Sequence, residues 1–344
     1  MKYNILGSTG LYVSELSFGT MTFGGKGFWK KVGALNQSDA SVLVRTAIDQ
    51  GINFFDTANV YSYGQSEEIL GQSIKQLGIA KDQIILATKL SAPAKKGINN
   101  AGLSRYHIFN AVDESLKRLQ IDHIDVLYVH GMDFNTSVEN IMNSLNDVVK
   151  SGKARYIGVC NWYAWMVMKA QMIAQTNNWV GFSTMQYYYS LASRDIEREV
   201  IPTAVDLNLP VIPWSPLAGG YLTGKYKNNI GSKSDNFRRN KLDFPLIDKP
   251  KTERIIMLLE EIAQQKQYTV AQLALAWLMQ RKGVASTIIG ASKAEQIKEN
   301  AKACEVVFTE KEVLKLEEVS ALQKEYPQWQ AEFQSEERQN SINN

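Results

Sequence analysis

The sequence is poor in cysteine and has no long apolar run. Its two cysteines, Cys160 and Cys304, exclude a disulfide framework and indicate a reducing compartment. Residues 1–7 show no apolar leader, and no window approaches the roughly 20 apolar residues of a membrane span. We therefore expect a soluble, cytoplasmic protein.

Histidine is also scarce, and charge of one sign is not in large excess. Three isolated histidines lack the clustered ligands, such as a His-x-His pair, of a metal-dependent barrel hydrolase, so we expect no metal. The 38 basic and 35 acidic residues give a net charge of +3, too little for a nucleic-acid-binding surface. The expected partner is a small molecule, with no nucleic acid and no membrane. The oligomeric state stays open.

Short apolar runs with strand character recur eight times along the chain. They are residues 16–18, 53–56, 84–89, 126–130, 156–159, 183–186, 211–214 and 287–289. Segments of helical periodicity lie between them, most clearly Val138–Lys150 and Arg105–Leu119. Strands that alternate with helices predict parallel pairing through right-handed crossovers. Eight such strands predict a closed (β/α)8 TIM barrel. A doubly wound open sheet is the alternative.

We predict one catalytic barrel domain over residues 1–331 and a polar C-terminal tail over residues 332–344 whose end is frayed. Long irregular stretches follow the first and the seventh strand, at residues 24–36 and 218–250. Long loops in compact domains are commonly functional, and barrel enzymes carry their active sites at the carboxyl ends of the strands. We expect both loops to form walls of a substrate and cofactor site.

Ionisable side chains stand at the ends of three successive predicted strands. Asp56, Lys89 and His130 are the last residues of the second, third and fourth runs. Tyr61 follows Asp56 by five positions, in the loop that leaves the same strand. Because the carboxyl ends of parallel strands open onto one mouth of a barrel, we expect these four side chains to lie together.

These four residue types suit a site that donates a proton. A phenol, with a pKa of about 10, is a poor donor at neutral pH unless a cation stabilises its anion. Lys89 is the expected cation, and Asp56 keeps it charged and aimed. A neutral His130 offers one N–H that orients a carbonyl. With Tyr61 as general acid, the site protonates an oxyanion as it forms, which hydride delivery to a carbonyl requires.

The sequence around these positions resembles the signature of the aldo-keto reductase family. The matching motifs are Asp-Thr-Ala-Asn-Val-Tyr at 56–61, Thr-Lys at 88–89, Asp-Val-Leu-Tyr-Val-His at 125–130, Gly-Val-Cys-Asn at 158–161, Trp-Ser-Pro-Leu at 214–217 and Gly-Ala-Ser at 290–292. The resemblance extends over roughly residues 3–303. It implies that Asp56, Tyr61, Lys89 and His130 form the family's catalytic tetrad. The last two motifs are similar to the branch with aryl-alcohol-dehydrogenase-like bacterial reductases and potassium-channel β subunits.

A nicotinamide cofactor is implied by the same resemblance. No Gly-x-Gly-x-x-Gly motif follows the first strand, so the cofactor is expected across the strand ends and not in a Rossmann cradle. Asn161 and Gln186 would bind the carboxamide, and Trp214 would stack on the ring. Ser215, Leu217 and Gly219, helped by Lys225, would meet the pyrophosphate. The full set of expected cofactor contacts is Thr20, Met21, Asp56, Cys160, Asn161, Gln186, Trp214, Ser215, Pro216, Leu217, Gly219, Lys225, Arg239, Gly290, Ser292, Lys293, Gln296 and Asn300.

The expected 2′-phosphate site departs from the better-known branch of the family, which has a Lys directly before the Ser and an Arg several positions later. Those positions are Ala291 and Gln296 here. Ser292 and Lys293 remain at the start of the last barrel helix, whose N-terminus attracts a phosphate, and Arg239 can add a bidentate charge. We therefore expect NADPH or NADP+ in preference to NADH.

Cys160 is a second departure, since the family usually has a serine beside the asparagine. A thiol is a weaker hydrogen-bond partner than a hydroxyl. We interpret Cys160 as a buried, small apolar residue at a strand end.

The predicted activity is reduction of aldehydes or ketones, with aromatic residues of the loops at the rim of the pocket. These aromatic residues are Trp29, Tyr63, Trp162 and Phe134. The alternative is an NADPH-binding regulatory subunit of a membrane channel with little turnover. A complete tetrad favours chemistry but does not decide between the two.

Overall fold

Ten strands and twelve α-helices are present in the computed structural model, which describes residues 1–226 and 238–342. Residues 227–237 of the predicted loop and 343–344 of the predicted tail lie outside the described part. The strands are β1 (Tyr3–Ile5), β2 (Tyr12–Ser14), β3 (Leu16–Gly19), β4 (Phe54–Asp56), β5 (Ile85–Leu90), β6 (Ile124–Val129), β7 (Ala154–Cys160), β8 (Phe182–Tyr188), β9 (Val211–Trp214) and β10 (Thr287–Ile289). The helices are α1 (Gln37–Asp49), α2 (Gln65–Gln76), α3 (Arg105–Leu119), α4 (Val138–Lys150), α5 (Ala164–Thr176), α6 (Val200–Asp206), α7 (Arg238–Lys241), α8 (Lys249–Lys266), α9 (Val270–Met279), α10 (Ala294–Ala301), α11 (Glu310–Ser320) and α12 (Gln328–Ile342).

Eight of the strands form one parallel sheet in the order β10-β3-β4-β5-β6-β7-β8-β9. A parallel bridge between Val211 and Val284 joins the last strand to the segment that leads into β10. The sheet is therefore a nearly closed barrel surrounded by helices, which confirms the predicted (β/α)8 fold and excludes the open sheet. Each of the eight predicted runs overlaps one of these strands, and only Asn53, Ile84 and His130 of the runs lie just outside them.

Side-chain alternation along the strands divides the core into an inner and an outer part. Phe54, Val126, Tyr128 and Ile212 pack inside the barrel in one cluster. The outward-facing residues pack against the helices, as on α4, where the predicted apolar stripe is buried. Burial of one such aliphatic or aromatic side chain contributes about 1.5–3 kcal/mol, so this patterning is the main source of stability.

The amino-terminal end of the barrel is closed by a hairpin of β1 and β2, which pair antiparallel. Leu6 and Val13 are fully buried and belong to the inner cluster. Asn4 fastens the hairpin by donating its side-chain N–H to the Ala285 carbonyl oxygen at 2.8 Å. Only the opposite end of the barrel, where the strands terminate, is left for a site.

The C-terminal region is helical where the sequence predicted a frayed tail. Helix α12 extends to Ile342, and the predicted domain boundary at residue 331 lies inside it. The segment is rich in Gln and Glu, which favour helix by intrinsic propensity without an apolar stripe. Within the described residues, no helix is long and apolar enough to span a membrane.

Two glycines of the hairpin allow a matched test of how it closes the barrel. Gly7 has φ +59°, and a Cβ there would lie 2.8 Å from the Asn208 carbonyl oxygen; Gly10 has φ +73° with open space around it. We expect Gly10→Ala to lower the free energy of unfolding by about 1–2 kcal/mol through backbone strain alone. Gly7→Ala should cost clearly more, because backbone must also move. Urea unfolding measures both, and equal losses would contradict the close approach.

Candidate active site

A buried ion pair lies at the carboxyl end of the barrel. Lys89, fully buried on β5, donates its Nζ to Asp56 Oδ1 in a short contact and to the Thr57 carbonyl oxygen at 2.7 Å. Gln186 Nε2 donates to the second carboxylate oxygen of Asp56 at 2.8 Å. A charge pair removed from water is tolerated when its remaining donors and acceptors find partners, and these contacts supply them.

The carboxylate keeps the buried lysine charged. Burial is the largest single effect on the Lys89 ammonium and by itself lowers its pKa. The charge and hydrogen bond of Asp56, together with the nearby Tyr61 and Cys160, outweigh burial, so the pKa is raised above its usual value. Lys89 is therefore a cation at every pH near neutrality, as the sequence predicted.

Tyr61 places its phenol beside this cation. Its hydroxyl oxygen lies 3.4 Å from Lys89 Nζ, and the ring is almost fully buried. Burial raises the pKa of the phenol, while the charge of Lys89 offsets part of the rise. Tyr61 is thus protonated through the neutral range, next to a charge that stabilises its phenolate once the proton has left.

His130 follows β6 and contacts the Tyr61 ring edge-on, with ring centroids 5.7 Å apart. Burial lowers the pKa of its imidazole to about 3, and the charge of Lys89 adds to the effect. The imidazole is neutral at ordinary pH. Its Nδ1 is buried without a hydrogen-bond partner among the described residues, which leaves Nε2 as the nitrogen that can meet a substrate. The four predicted side chains are therefore brought together.

The predicted nicotinamide contacts lie on the neighbouring strand ends, with pairings that the sequence did not indicate. Asn161, exposed and with φ +58°, accepts a hydrogen bond from Trp214 Nε1 at 3.1 Å. One N–H of Gln186 is used by Asp56, so its second N–H and its carbonyl oxygen remain for a carboxamide. Trp214 stacks with Tyr188 and Phe244, at centroid distances of 5.0 and 5.8 Å.

The loop after β9 bends sharply through several left-handed residues. Ser215, Ala218, Gly219 and Gly220 all have positive φ, from 51° to 88°. Pro216 is buried and Leu217 is half-buried between them. Main-chain N–H groups in such turns form concavities that suit an anion, so this loop fits the pyrophosphate of a dinucleotide. Lys225 lies close by, because a Cβ on Gly220 would be 3.1 Å from its Nζ.

The start of α10 offers a set of donors that converge on one point. The main-chain N–H groups of Ser292 and Lys293, at 2.8 and 3.2 Å, and the Ser292 hydroxyl, at 3.2 Å, all point to Gln296 Oε1. A phosphate oxygen is an alternative acceptor for the same donors, so the residues present fit a phosphate here. Lys293 and Gly290 are exposed beside this point, and Asn300 is half-buried on the same helix.

Arg239 does not fit its predicted role at the 2′-phosphate. Its guanidinium is buried and forms an ion pair with Asp243. The Nη1 atom donates to the Ala218 carbonyl oxygen at 2.6 Å and Nη2 to that of Pro245 at 2.9 Å. These donors bond within the loop, so Arg239 stabilises the loop and is not available to bind a phosphate in bidentate fashion.

Two of the predicted cofactor contacts, Thr20 and Met21, directly follow β3. Thr20 is buried, and its hydroxyl bonds to the Asp56 carbonyl oxygen and to Ser66 Oγ. Met21 is half-buried beside it. Cys160 is fully buried, and burial raises the pKa of its thiol well above the ordinary value, which agrees with an inert apolar residue.

The aromatic rim is smaller than predicted. Trp29 contacts the Tyr61 ring edge-on at 5.3 Å, and Tyr63 and Phe134 are exposed. The prediction that Trp162 lies at the rim is wrong. The residue is 1% exposed and donates its indole N–H to the Gly131 carbonyl oxygen at 3.0 Å. Nothing in the local sequence separates a core Trp from a rim Trp in a loop.

A family model described as "Aldo/keto reductase family" matches residues 15–321. The chain belongs to the aldo-keto reductase family. This match spans the barrel strands from β3 to β10 and all four residues of the ion pair, phenol and imidazole site.

Curated relatives of this aldo-keto reductase cover nearly the whole chain. A "Putative aryl-alcohol dehydrogenase" of Schizosaccharomyces pombe is 36% identical over 340 residues, covering 92% of this chain and 95% of the relative. A "Probable voltage-gated potassium channel subunit beta" of Oryza sativa is 39% identical over 314 residues, covering 89% and 92%. The versiconal hemiacetal acetate reductase of Aspergillus parasiticus is 36% identical over 335 residues, covering 92% and 96%.

The electrostatics of the site make a direct prediction for His130. Because the folded-state pKa is about 3, its imidazole should not titrate between about pH 8 and pH 5 in NMR spectra, with His130→Gln used for assignment. Lys89→Met removes a charge that opposes protonation, so it should raise the pKa. A wild-type midpoint near 6.5 would contradict the proposed neutral imidazole.

Proposed function

We propose that this protein reduces aldehydes or ketones to alcohols with NADPH, and that Tyr61 is the proton donor. The observation that carries the proposal is a protonated, buried phenol 3.4 Å from an ammonium that is itself held charged by a carboxylate. Membership of a family with oxidoreductase relatives supports the same conclusion.

A nicotinamide cofactor would be held by Asn161, Gln186 and Trp214, and when bound it supplies the hydride that reaches the carbonyl carbon. Tyr61 then gives its phenolic proton to the carbonyl oxygen as negative charge develops there. The Lys89 ammonium stabilises the phenolate that remains, and water restores the proton.

His130 orients the carbonyl group, and Asp56 keeps Lys89 charged. Neutral His130 has Nε2 free to donate to the carbonyl oxygen and to orient it towards the phenol. Asp56 prevents Lys89 from losing its proton through burial. Trp29, which packs on the Tyr61 ring, forms the wall nearest to the reacting group.

A second function is favoured by one finding, the relative named as a potassium channel subunit. This function would be cofactor binding with little turnover, in a regulatory subunit of a membrane channel. The two functions separate in one experiment: fluorescence titration with NADPH and NADH, followed by turnover of an aldehyde panel. Binding without turnover would favour the regulatory function.

Tyr61→Phe tests the proton donor. We expect kcat for reduction to fall by roughly 10²–10⁴-fold, the usual contribution of a positioned acid, with the fold and NADPH binding unchanged. Tyr63→Phe is the matched control, since it removes a phenol from the same loop without touching Lys89. Wild-type turnover by the Tyr61 variant would rule the assignment out.

Cofactor preference is tested at the start of α10. Lys293→Ala should weaken NADPH binding by about 2- to 5-fold and leave NADH binding unchanged, because an exposed charge contributes little but acts on the 2′-phosphate alone. Lys298→Ala, an exposed lysine on the same helix, is the control. Arg239→Ala should weaken both cofactors alike, since it loosens the loop.

Equal wild-type affinity for the two cofactors would contradict the preference for NADPH. In that case Ala291 and Gln296 mark an enzyme that also accepts NADH.

A further inference from the structure

The first turn of α2 contains a carboxylate that the reaction does not use. Glu67 is fully buried, and a buried charge is costly unless it is paired and hydrogen-bonded. Its Oε1 accepts from the Thr88 hydroxyl at 2.5 Å and its Oε2 from Arg118 Nε at 2.6 Å. Both carboxylate oxygens are therefore satisfied, one by an ion pair and one by a strand residue.

Thr88 directly precedes Lys89 on β5. Successive side chains of a strand point to opposite faces, so Lys89 enters the barrel while Thr88 faces α2 outside it. Glu67 thus holds the outer face of β5 one residue away from the buried ammonium. A displacement of this strand end would carry the ammonium with it.

Ser66, in the same turn of α2, bonds to residues that directly follow the neighbouring strands β3 and β4. Its hydroxyl donates to the Thr20 carbonyl oxygen at 2.8 Å and lies 3.0 Å from the Thr57 hydroxyl. The Thr57 carbonyl oxygen accepts from Lys89 Nζ at 2.7 Å. Two independent attachments, through Thr88 and through Thr57, therefore connect Lys89 to α2.

The loop that carries Tyr61 runs directly into this helix. Within the loop, the Asn59 N–H donates to the Lys89 carbonyl oxygen at 3.0 Å. Gly64, the residue before α2, has φ +92°, and a Cβ there would lie 2.7 Å from Arg118 Cδ. The absence of a side chain at Gly64 is what lets Arg118 reach Glu67.

We propose that Glu67, acting through Thr88, is a positioning residue that holds Lys89 at its working distance from Tyr61. The proposal rests on the proposed function for its effect on turnover. A shift of the strand end by a fraction of an ångström would lengthen the contact of 3.4 Å between ammonium and phenol. The phenolate would then be stabilised less, and misplacement of this kind lowers rates by roughly 10-fold or more.

Thr88→Val removes the hydroxyl that Glu67 holds and keeps the shape of the side chain. We expect kcat to fall by about 10-fold with the KM for the carbonyl and the affinity for NADPH unchanged. Reduction is lost as pH rises through the pKa of Tyr61, and weaker stabilisation of the phenolate raises that pKa. The alkaline limb of the kcat profile should therefore move to higher pH.

Three further variants make the test specific. Thr88→Ser restores the hydroxyl and should return kcat to within about twofold of wild type. Thr88→Ala removes it without adding a methyl group, in case the valine variant does not fold. Thr252→Val is the control: Thr252 is a fully buried residue of α8 whose hydroxyl donates to the Asp248 carbonyl oxygen at 2.6 Å.

A crystal structure of Thr88→Val, compared with wild type, gives a readout that does not need turnover. The distance from Lys89 Nζ to the Tyr61 oxygen should increase. If stability falls while this distance, kcat and the alkaline limb all stay at wild-type values, the contact is only structural and the proposal is wrong. If the distance increases but wild type reduces no carbonyl, the positioning role stands and the proposed function fails.

Discussion

The ion pair between Lys89 and Asp56 is the constraint on which the rest of the site depends. An ammonium with no exposed surface is stable only when opposite charge and hydrogen bonds replace its water, and the barrel supplies them from several strands. Asp56 comes from β4, Lys89 from β5 and Gln186 from β8. Burial is the larger cause of the pKa shifts of Tyr61 and His130, and the charge of Lys89 acts on both. It favours the phenolate of Tyr61 and opposes protonation of His130.

The barrel explains why such a charge can exist at one end and not at the other. At the amino-terminal end, the β1–β2 hairpin fills the interior with apolar side chains such as Leu6 and Val13. At the carboxyl end, the strands stop, and their last residues and loops provide polar partners. The cost of burying Lys89 is met by contacts that only this end can offer. The ionisable residues therefore lie at the carboxyl end of the barrel, and apolar packing by the hairpin closes the amino-terminal end.

Some polar side chains use their hydrogen-bond donors within the protein, and others keep donors that can bind a ligand. Arg239 is the clearest case, because its guanidinium bonds to Asp243 and to two carbonyl oxygens within its own loop. Gln186 donates one amide N–H to Asp56, and the rest of its amide remains for a ligand at the barrel mouth. At the start of α10, Gln296 occupies the donors of Ser292 and Lys293, and the same donors suit a phosphate. Residue type alone does not distinguish these uses.

Local patterns in the sequence determined much of this protein. The apolar periodicity predicted α3 and α4 with the bounds that the structure shows, and eight apolar runs located the barrel strands. The positions of Asp56, Lys89 and His130 at strand ends were sufficient to bring them to one mouth, because parallel strands share an orientation. These features follow from spacings within a few residues.

Tertiary structure alone decided the partners. Gln186 and Asp56 are separated by 130 positions, and nothing local to either one indicates that they bond. The hairpin escaped prediction because three-residue strands carry no periodicity, and α12 because its helical propensity comes without an apolar face. Whether Trp162 lies in the core or at the rim, and whether Arg239 faces a ligand or its own loop, depends on which groups the fold brings within hydrogen-bonding distance. Spacing along the chain specifies elements and their ends, whereas pairing between side chains depends on distances that exist only once the barrel has closed.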